Sequence, residues 1–227
     1  PPPPPPPPPP FFNTPTRPPQ IPLRLVGSEM CIRDSIKAAS ILCERDGYTK
    51  LSIRSLAKES NVSQTAPYRH FKTKECVYAA VAEEGFNKLG AITYFDLTKK
   101  ITKQHLIENC KKYINFGLRN ANTYDLMFGT AVGNFSNYPS LLEAANSSYA
   151  NLVTNLSRLT GETEEVISAK CITIWSVVHG LVGILRKAEM VGDDIDKNLG
   201  GPISKAQDIS ENLMPYLDNV MTGIIES

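Results

Sequence analysis

The stretch from Leu51 to Lys74, LSIRSLAKESNVSQTAPYRHFKTK, constrains the fold more than any other part of the chain. It holds two short helical periods separated by a tight break. Ile53, Leu56 and Ala57 fall at i, i+3, i+4 and share one apolar face. Ser52 stands before them as an N-cap. The break falls at Glu59–Asn61, where Asn tolerates the left-handed backbone that a sharp turn demands. Ser63 offers a second cap, and the spacing predicts a short helix over Gln64–Phe71. That helix is distorted at Pro67, which has no N–H to donate.

Two short helices joined by a few residues make a helix-turn-helix. For DNA binding, the second helix needs an apolar side to dock and a polar side to read. Val62 and Phe71 can supply the first. Gln64, Thr65, Tyr68, Arg69 and His70 supply the second, with Lys72 and Lys74 following where the next helix begins. An ordinary surface hairpin fits the bare pattern as well. Charge favours the reader. From Ile36 to Lys88 there are nine cations against six anions, and the rest of the body is acidic by a similar margin. A small basic unit on an acidic body suits a nucleic-acid contact at one end.

Residues 1–35 stand apart. Pro1–Pro10 and the following PTRPPQIP cannot pack a core and predict polyproline II or disorder. Leu25–Ser35, LVGSEMCIRDS, resembles the in-frame translation of a transposon-end adapter, so residues 1–35 are read as a disordered artefact of sequencing; a natural proline-rich ligand segment is the alternative. No signal-peptide layout and no apolar run of transmembrane length is expected. Cys31, Cys43, Cys76, Cys110 and Cys171 are scattered without a CxxC, and read as reduced thiols.

Elsewhere the periodicity is helical, so the predicted class is all-α. Ile36–Asp46 reads as a helix ended by Gly47, and Thr73 caps another running to about Leu89. In the body, helices are predicted over Thr102–Asn120, Tyr124–Gly129, Ser140–Leu159 (capped by Ser140 and stopped by Gly161) and Glu162–Val191. Gly192–Pro202 reads as a loop, and Lys205–Ile225 as a last helix kinked at Pro215.

Three runs now carry a resemblance: AAS at Ala38–Ser40, GYTKLSIRSLA at Gly47–Ala57, and NVSQTAPYRHFKTKE at Asn61–Glu75. Ile36 to Phe86 resembles the DNA-binding domain of TetR-family regulators, departing at Asn61, where the family usually has Gly. IWSVVHGLVGIL, with Trp175, His179 and Gly180, is similar to the Trp-His-Gly branch of TetR C-terminal domains, as is Tyr113–Gly129, YINFGLRNANTYDLMFG.

The resemblance implies an N-terminal three-helix DNA-binding domain over residues 36–88 and a helical ligand-binding and dimerisation domain over residues 89–227. Arg54, Gln64, Thr65 and Ala66 match positions facing base edges, Tyr68 and His70 match positions contacting phosphates or bases, and Lys74 matches a phosphate contact. Their chemistry agrees in part: Arg pairs with guanine, Gln with adenine, and Thr or Ala can touch a thymine methyl. For Tyr68, packing between helices is the alternative. The implied protein is a bacterial, cytoplasmic homodimer on a near-palindromic duplex operator, released by a small molecule and usually a repressor. An activator of the same fold, or a helical interaction protein without a DNA target, are the alternatives.

Candidate ligand-binding residues are Tyr113, Phe116, Tyr124, Met127, Phe128, Tyr149, Trp175 and His179, each with plain core packing as the alternative. No cofactor and no catalytic or metal site is expected. Cys171 and His179 on one helix lie about 12 Å apart, too far for a nucleophile–base pair. Asp193, Asp194 and Asp196 lack the glycine and distal glutamate of a calcium loop.

Overall fold

The computed structural model describes residues 23–191 and 201–226, with side chains from residue 32 onward. Among these residues there are nine α-helices and no strand. They are α1 (Leu23–Asp46), α2 (Ile53–Glu59), α3 (Lys74–Thr93), α4 (Lys103–Arg119), α5 (Ala121–Phe128), α6 (Pro139–Thr160), α7 (Glu164–Val191), α8 (Pro202–Glu211) and α9 (Leu213–Ile225). The acidic loop with Asp193, Asp194 and Asp196 lies outside the described residues.

α1 begins at Leu23, so the disorder expected through Ser35 is corrected for its last thirteen residues. No proline stands between Pro22 and Pro67 to interrupt a helix. The buried stripe of Ala39 and Leu42 also extends back to Ser35, which is itself buried. Gly47, at φ 84°, ends the helix as expected.

α2 has only seven residues, too short to persist alone. Two things hold it. Ser52 and Ser55 form a capping box, each side chain bonding the other's backbone N–H at 3.0 and 2.9 Å. Ile53, Leu56 and Ala57 are buried against α1, and a buried Leu or Ile is worth about 1.5–3 kcal/mol. Asn61 then takes φ 51°, the left-handed turn its side chain was expected to allow.

The α-helix expected over Gln64–Phe71 is replaced by turns and a three-residue 3-10 helix, Pro67–Arg69. Pro67 cannot donate to Ser63, so the chain closes through Ala66 N–H to Ser63 O at 3.0 Å and Arg69 N–H to Ala66 O at 3.2 Å. The docking side differs too. Pro67 and Phe71 are buried, whereas Val62, expected to dock, is exposed. Ser63 bonds Thr65 Oγ1 rather than capping a helix.

α3, capped by Thr73, joins the reader to the body. It packs on α1, α5 and α6. As one helix to Thr93 it runs through the expected domain boundary at residue 88. At Gly85 a Cβ would fall 2.6 Å from Met127 Sδ and 2.7 Å from Thr123 Cγ2, so only glycine lets α3 and α5 meet.

α4, α6, α7 and α9 complete the body around one continuous core. α6 starts at Pro139, its first-turn position needing no N–H, and Ser140 makes no cap. Gly161 stops it at φ 75°, as expected. The last predicted helix is two helices broken at Asn212, because the Pro215 ring collides with the carbonyl of Glu211 if the helix runs straight. α7 corrects the expectation about apolar runs: at 28 residues and mean hydropathy 1.5 it is long and apolar enough to cross a membrane. One face of it is core, packed on α4, α6 and α8.

Candidate DNA interface and ligand cavity

The reader offers its polar groups outward. Arg54, Gln64, Thr65, Arg69 and Lys72 are exposed, Ala66 and His70 are half-buried, and Lys74 is exposed at the start of α3. Tyr68 is 57% exposed, which corrects the alternative that it packs between helices. Among the described residues Arg54, Lys58, Arg69 and Lys72 make no ion pair, whereas Arg45 is occupied by Asp46 and Glu59. Unpaired cations beside amides and hydroxyls are the chemistry that meets phosphate and base edges. Lys74 is partly engaged: its ammonium donates to Thr49 O at 2.8 Å and sits 5.2 Å from the Tyr78 ring centroid. Two of its three hydrogens stay free. Tyr78 in turn donates to Tyr48 O at 2.7 Å, fixing the turn after α1. Nothing in the local pattern pointed to that bracing.

Between α3, α4, α5, α6 and α7 lies a cavity of about 500 Å³. Five expected ligand residues line it: Tyr113, Met127, Phe128, Tyr149 and Trp175. Phe128 is a hub, with ring centroids of Tyr124 at 4.6 Å, His179 at 4.9 Å and Phe86 at 5.3 Å. Tyr124 and His179 stand behind this wall. Phe116 turns instead toward α1, lining a shallow cleft with Lys37 and Glu44.

Tyr124 and His179 belong to a polar chain that touches the cavity at its other end. Trp175 Nε1–H donates to Tyr113 Oη at 3.1 Å, the Tyr113 and Tyr124 hydroxyls bond at 3.0 Å, and Tyr124 Oη meets His179 Nδ1 at 2.6 Å. One direction fits every bond of this chain: each hydroxyl donates onward, ending on Nδ1 of a neutral imidazole. Burial supports these states, pushing Tyr113 up to about 12, raising Tyr124 further, and lowering His179. The polar partner of this half-buried imidazole at Nδ1 is therefore protein.

α5 ties this cavity to the reader. The Glu44 carboxylate, at the end of α1, accepts from Thr123 N at 2.7 Å and Asn122 N at 3.4 Å in the first turn of α5. Asn122 Nδ2 also donates to Glu44 O at 3.2 Å. Farther along, Asp125 is gripped by both guanidinium nitrogens of Arg186 on α7, at 2.6 and 3.1 Å. That hydrogen bonding raises the Arg186 pKa above its ordinary value. One short helix thus touches α1, α7 and, through Met127 and Phe128, the cavity.

Sequence reasoning missed the amides of the wall: Asn109, Asn146, Asn151 and Asn155. A signal existed. Asn151 and Asn155 are four apart and adjoin Leu152 and Leu156, so amides occupy a core register of α6. The buried thiols of Cys110 and Cys171 are not activated. Burial pushes the Cys171 thiol up to about 11 and the Cys110 thiol to about 12, the wrong direction for a nucleophile. Among the described residues, no cluster of His, Cys, Asp and Glu could hold a metal.

The profile described as bacterial regulatory proteins, tetR family, matches residues 36–81. A second, described as tetracyclin repressor-like, C-terminal domain, matches residues 106–198; that description does not single out the Trp-His-Gly branch. No curated protein matches the chain by sequence. Among solved structures, a protein of unknown function from Rhodococcus sp. RHA1 is similar, at 22% identity over 81% of this chain and 93% of that one, with a TM-score of 0.60. A TetR variant from Acinetobacter baumannii AYE, in complex with minocycline, shares 18% identity over 83% and 93%, with a TM-score of 0.56. Salmonella enterica GusR shares 15% over 87% and 96%, with a TM-score of 0.55. At these identities the likeness is one of fold.

Proposed function

The chain belongs to the TetR family of bacterial regulatory proteins, and from that premise we propose that it is a cytoplasmic, homodimeric repressor released from a near-palindromic operator by a small molecule. The observation that carries this reading is the path through α5. A helix whose first turn is held by Glu44 of the reader also forms the cavity wall with Met127 and Phe128. A ligand can shift the reader only if it binds one arrangement of that path more tightly than the other.

In this reading Arg54, Gln64, Thr65 and Ala66 face base edges, while Tyr68, His70 and Lys74 set the reader on the backbone. Exposure of Tyr68 and the unpaired cations around it support that assignment. The second copy seats on α7. Val166, Ile172 and Ile184 are exposed there, and nothing lies within 4 Å of a Cβ built at Gly180 or Gly183. An exposed apolar stripe with small residues suits a two-fold helix contact.

Selection of bound fragments from genomic DNA, followed by anisotropy titration, tests the reading. Lys74→Ala should weaken binding to all duplexes and make the slope of log K against log salt shallower by about 0.9. Gln64→Ala should change sequence preference more than general affinity. A chain that sediments as a monomer and prefers no fragment over random competitor would overturn it.

A further inference from the structure

Every side chain lining the cavity is uncharged. Its aromatic and aliphatic wall offers no counterion to a charged guest, and burying an unpaired charge is strongly unfavourable. The wall's amides are not equivalent. Asn109 donates to Thr93 O at 2.8 Å and accepts from Lys112 Nζ at 3.3 Å, and Asn151 donates to Gly90 O at 3.0 Å. Asn155 is only 4% exposed, and among the described residues no group pairs with its carboxamide. A buried amide carries a donor and an acceptor side by side, and in native folds such groups find partners. The partner here is to be sought in what fills the cavity.

We propose that the cavity takes an uncharged, largely apolar molecule whose carbonyl, amide or hydroxyl head pairs with Asn155. This rests on the effector reading above and names the ligand's class. The aromatic rings around Phe128 and Trp175 hold the apolar body by stacking and edge contacts, and Asn155 fixes its polar end. A pocket of this size suits a drug-sized guest.

Trp175 is the chain's only tryptophan and lies in the wall, so a dye seated in the cavity accepts energy transfer from a single donor, and the Asn155 variants tie that signal to this site. Two naphthalene dyes separate the possibilities: prodan, a neutral ketone, and the anionic anilinonaphthalene sulfonate. Prodan should accept transfer from Trp175 and bind at least roughly tenfold more tightly than the sulfonate, whose charge would be stranded. In Asn155→Leu, prodan should bind roughly tenfold more weakly and emit to the blue, having lost its hydrogen bond. Should that variant fail to fold, Asn155→Ser and the dye comparison on the unaltered chain still decide. The sulfonate binding as tightly as prodan, no transfer to prodan, or an unchanged prodan spectrum in a folded variant would overturn the proposal. Operator release is read in the same titration: prodan seated with the duplex still held would count against the effector reading and leave the ligand class standing.

Discussion

Replacing Glu44 should loosen the reader from the body, and the structure sets the size of the effect. The carboxylate accepts one strong bond, from Thr123 N at 2.7 Å, and one long bond from Asn122 N at 3.4 Å. Both donors belong to the first turn of α5, whose amides have no partner within the helix. A hydrogen bond to a charged acceptor is worth about 1.5–3 kcal/mol, and an anion at a helix N-terminus adds about 0.3–1 kcal/mol when exposed. Glu44 is half-buried and one of its bonds is long, so we take about 1.5 kcal/mol for Glu44→Ala. At roughly 2–4 °C per kcal/mol for a fold of this size, Tm should fall by about 3–6 °C. Glu44→Gln keeps an acceptor and loses the charge, so about half that loss is expected. Differential scanning calorimetry measures both. The functional readout is operator affinity, which should fall in Glu44→Ala even though the substitution makes the basic unit more positive. A Glu44→Ala chain that melts within about 1 °C of the parent and binds DNA identically would refute the linkage.

Two further outcomes follow from packing and titration. Gly85→Leu should cost about 1–3 kcal/mol or more, read as a lower urea midpoint at unchanged slope, because Met127 and Thr123 occupy the space that the side chain needs. His179 is held neutral, with its pKa below the ordinary 6.5. Its contribution to stability is therefore fully present above pH 6.5 and is lost as pH falls through the depressed folded value. His179→Asn keeps an acceptor for Tyr124 and removes the titration, so its stability should fall less than the parent's over that window in parallel denaturant melts.

Local signals carried much of the fold. Ser52, Thr73 and Gly161 act within one turn of themselves, and their capping roles were legible in the sequence. So was the Asn61 turn, because left-handed backbone is a property of a single residue. The errors arise where distant parts decide. Val62 looked like an anchor and Pro67 like a defect, yet Pro67 is buried and Val62 faces outward. Pro215 predicts a kink at itself, whereas α8 ends at Glu211, because proline disturbs the carbonyl four residues before it. Of the cavity, the aromatics were legible by composition. Asn155 carries only the register signal of its neighbours Leu152 and Leu156, and that its carboxamide meets a cavity shows only once the surrounding helices are in place. Glu44 reaches α5 across 79 positions of sequence, and no periodicity encodes that contact.

The reading turn is anchored at Pro67 and Phe71, while Gln64, Thr65, Tyr68 and Arg69 point away from the interior. Buried anchors and outward polar groups are therefore different residues within one short segment. Exchanging the outward side chains should leave the turn wound, since it closes through the backbone bonds of Ala66 to Ser63 and Arg69 to Ala66. Reprogramming a binding site then becomes a matter of swapping surface letters on a fixed peg.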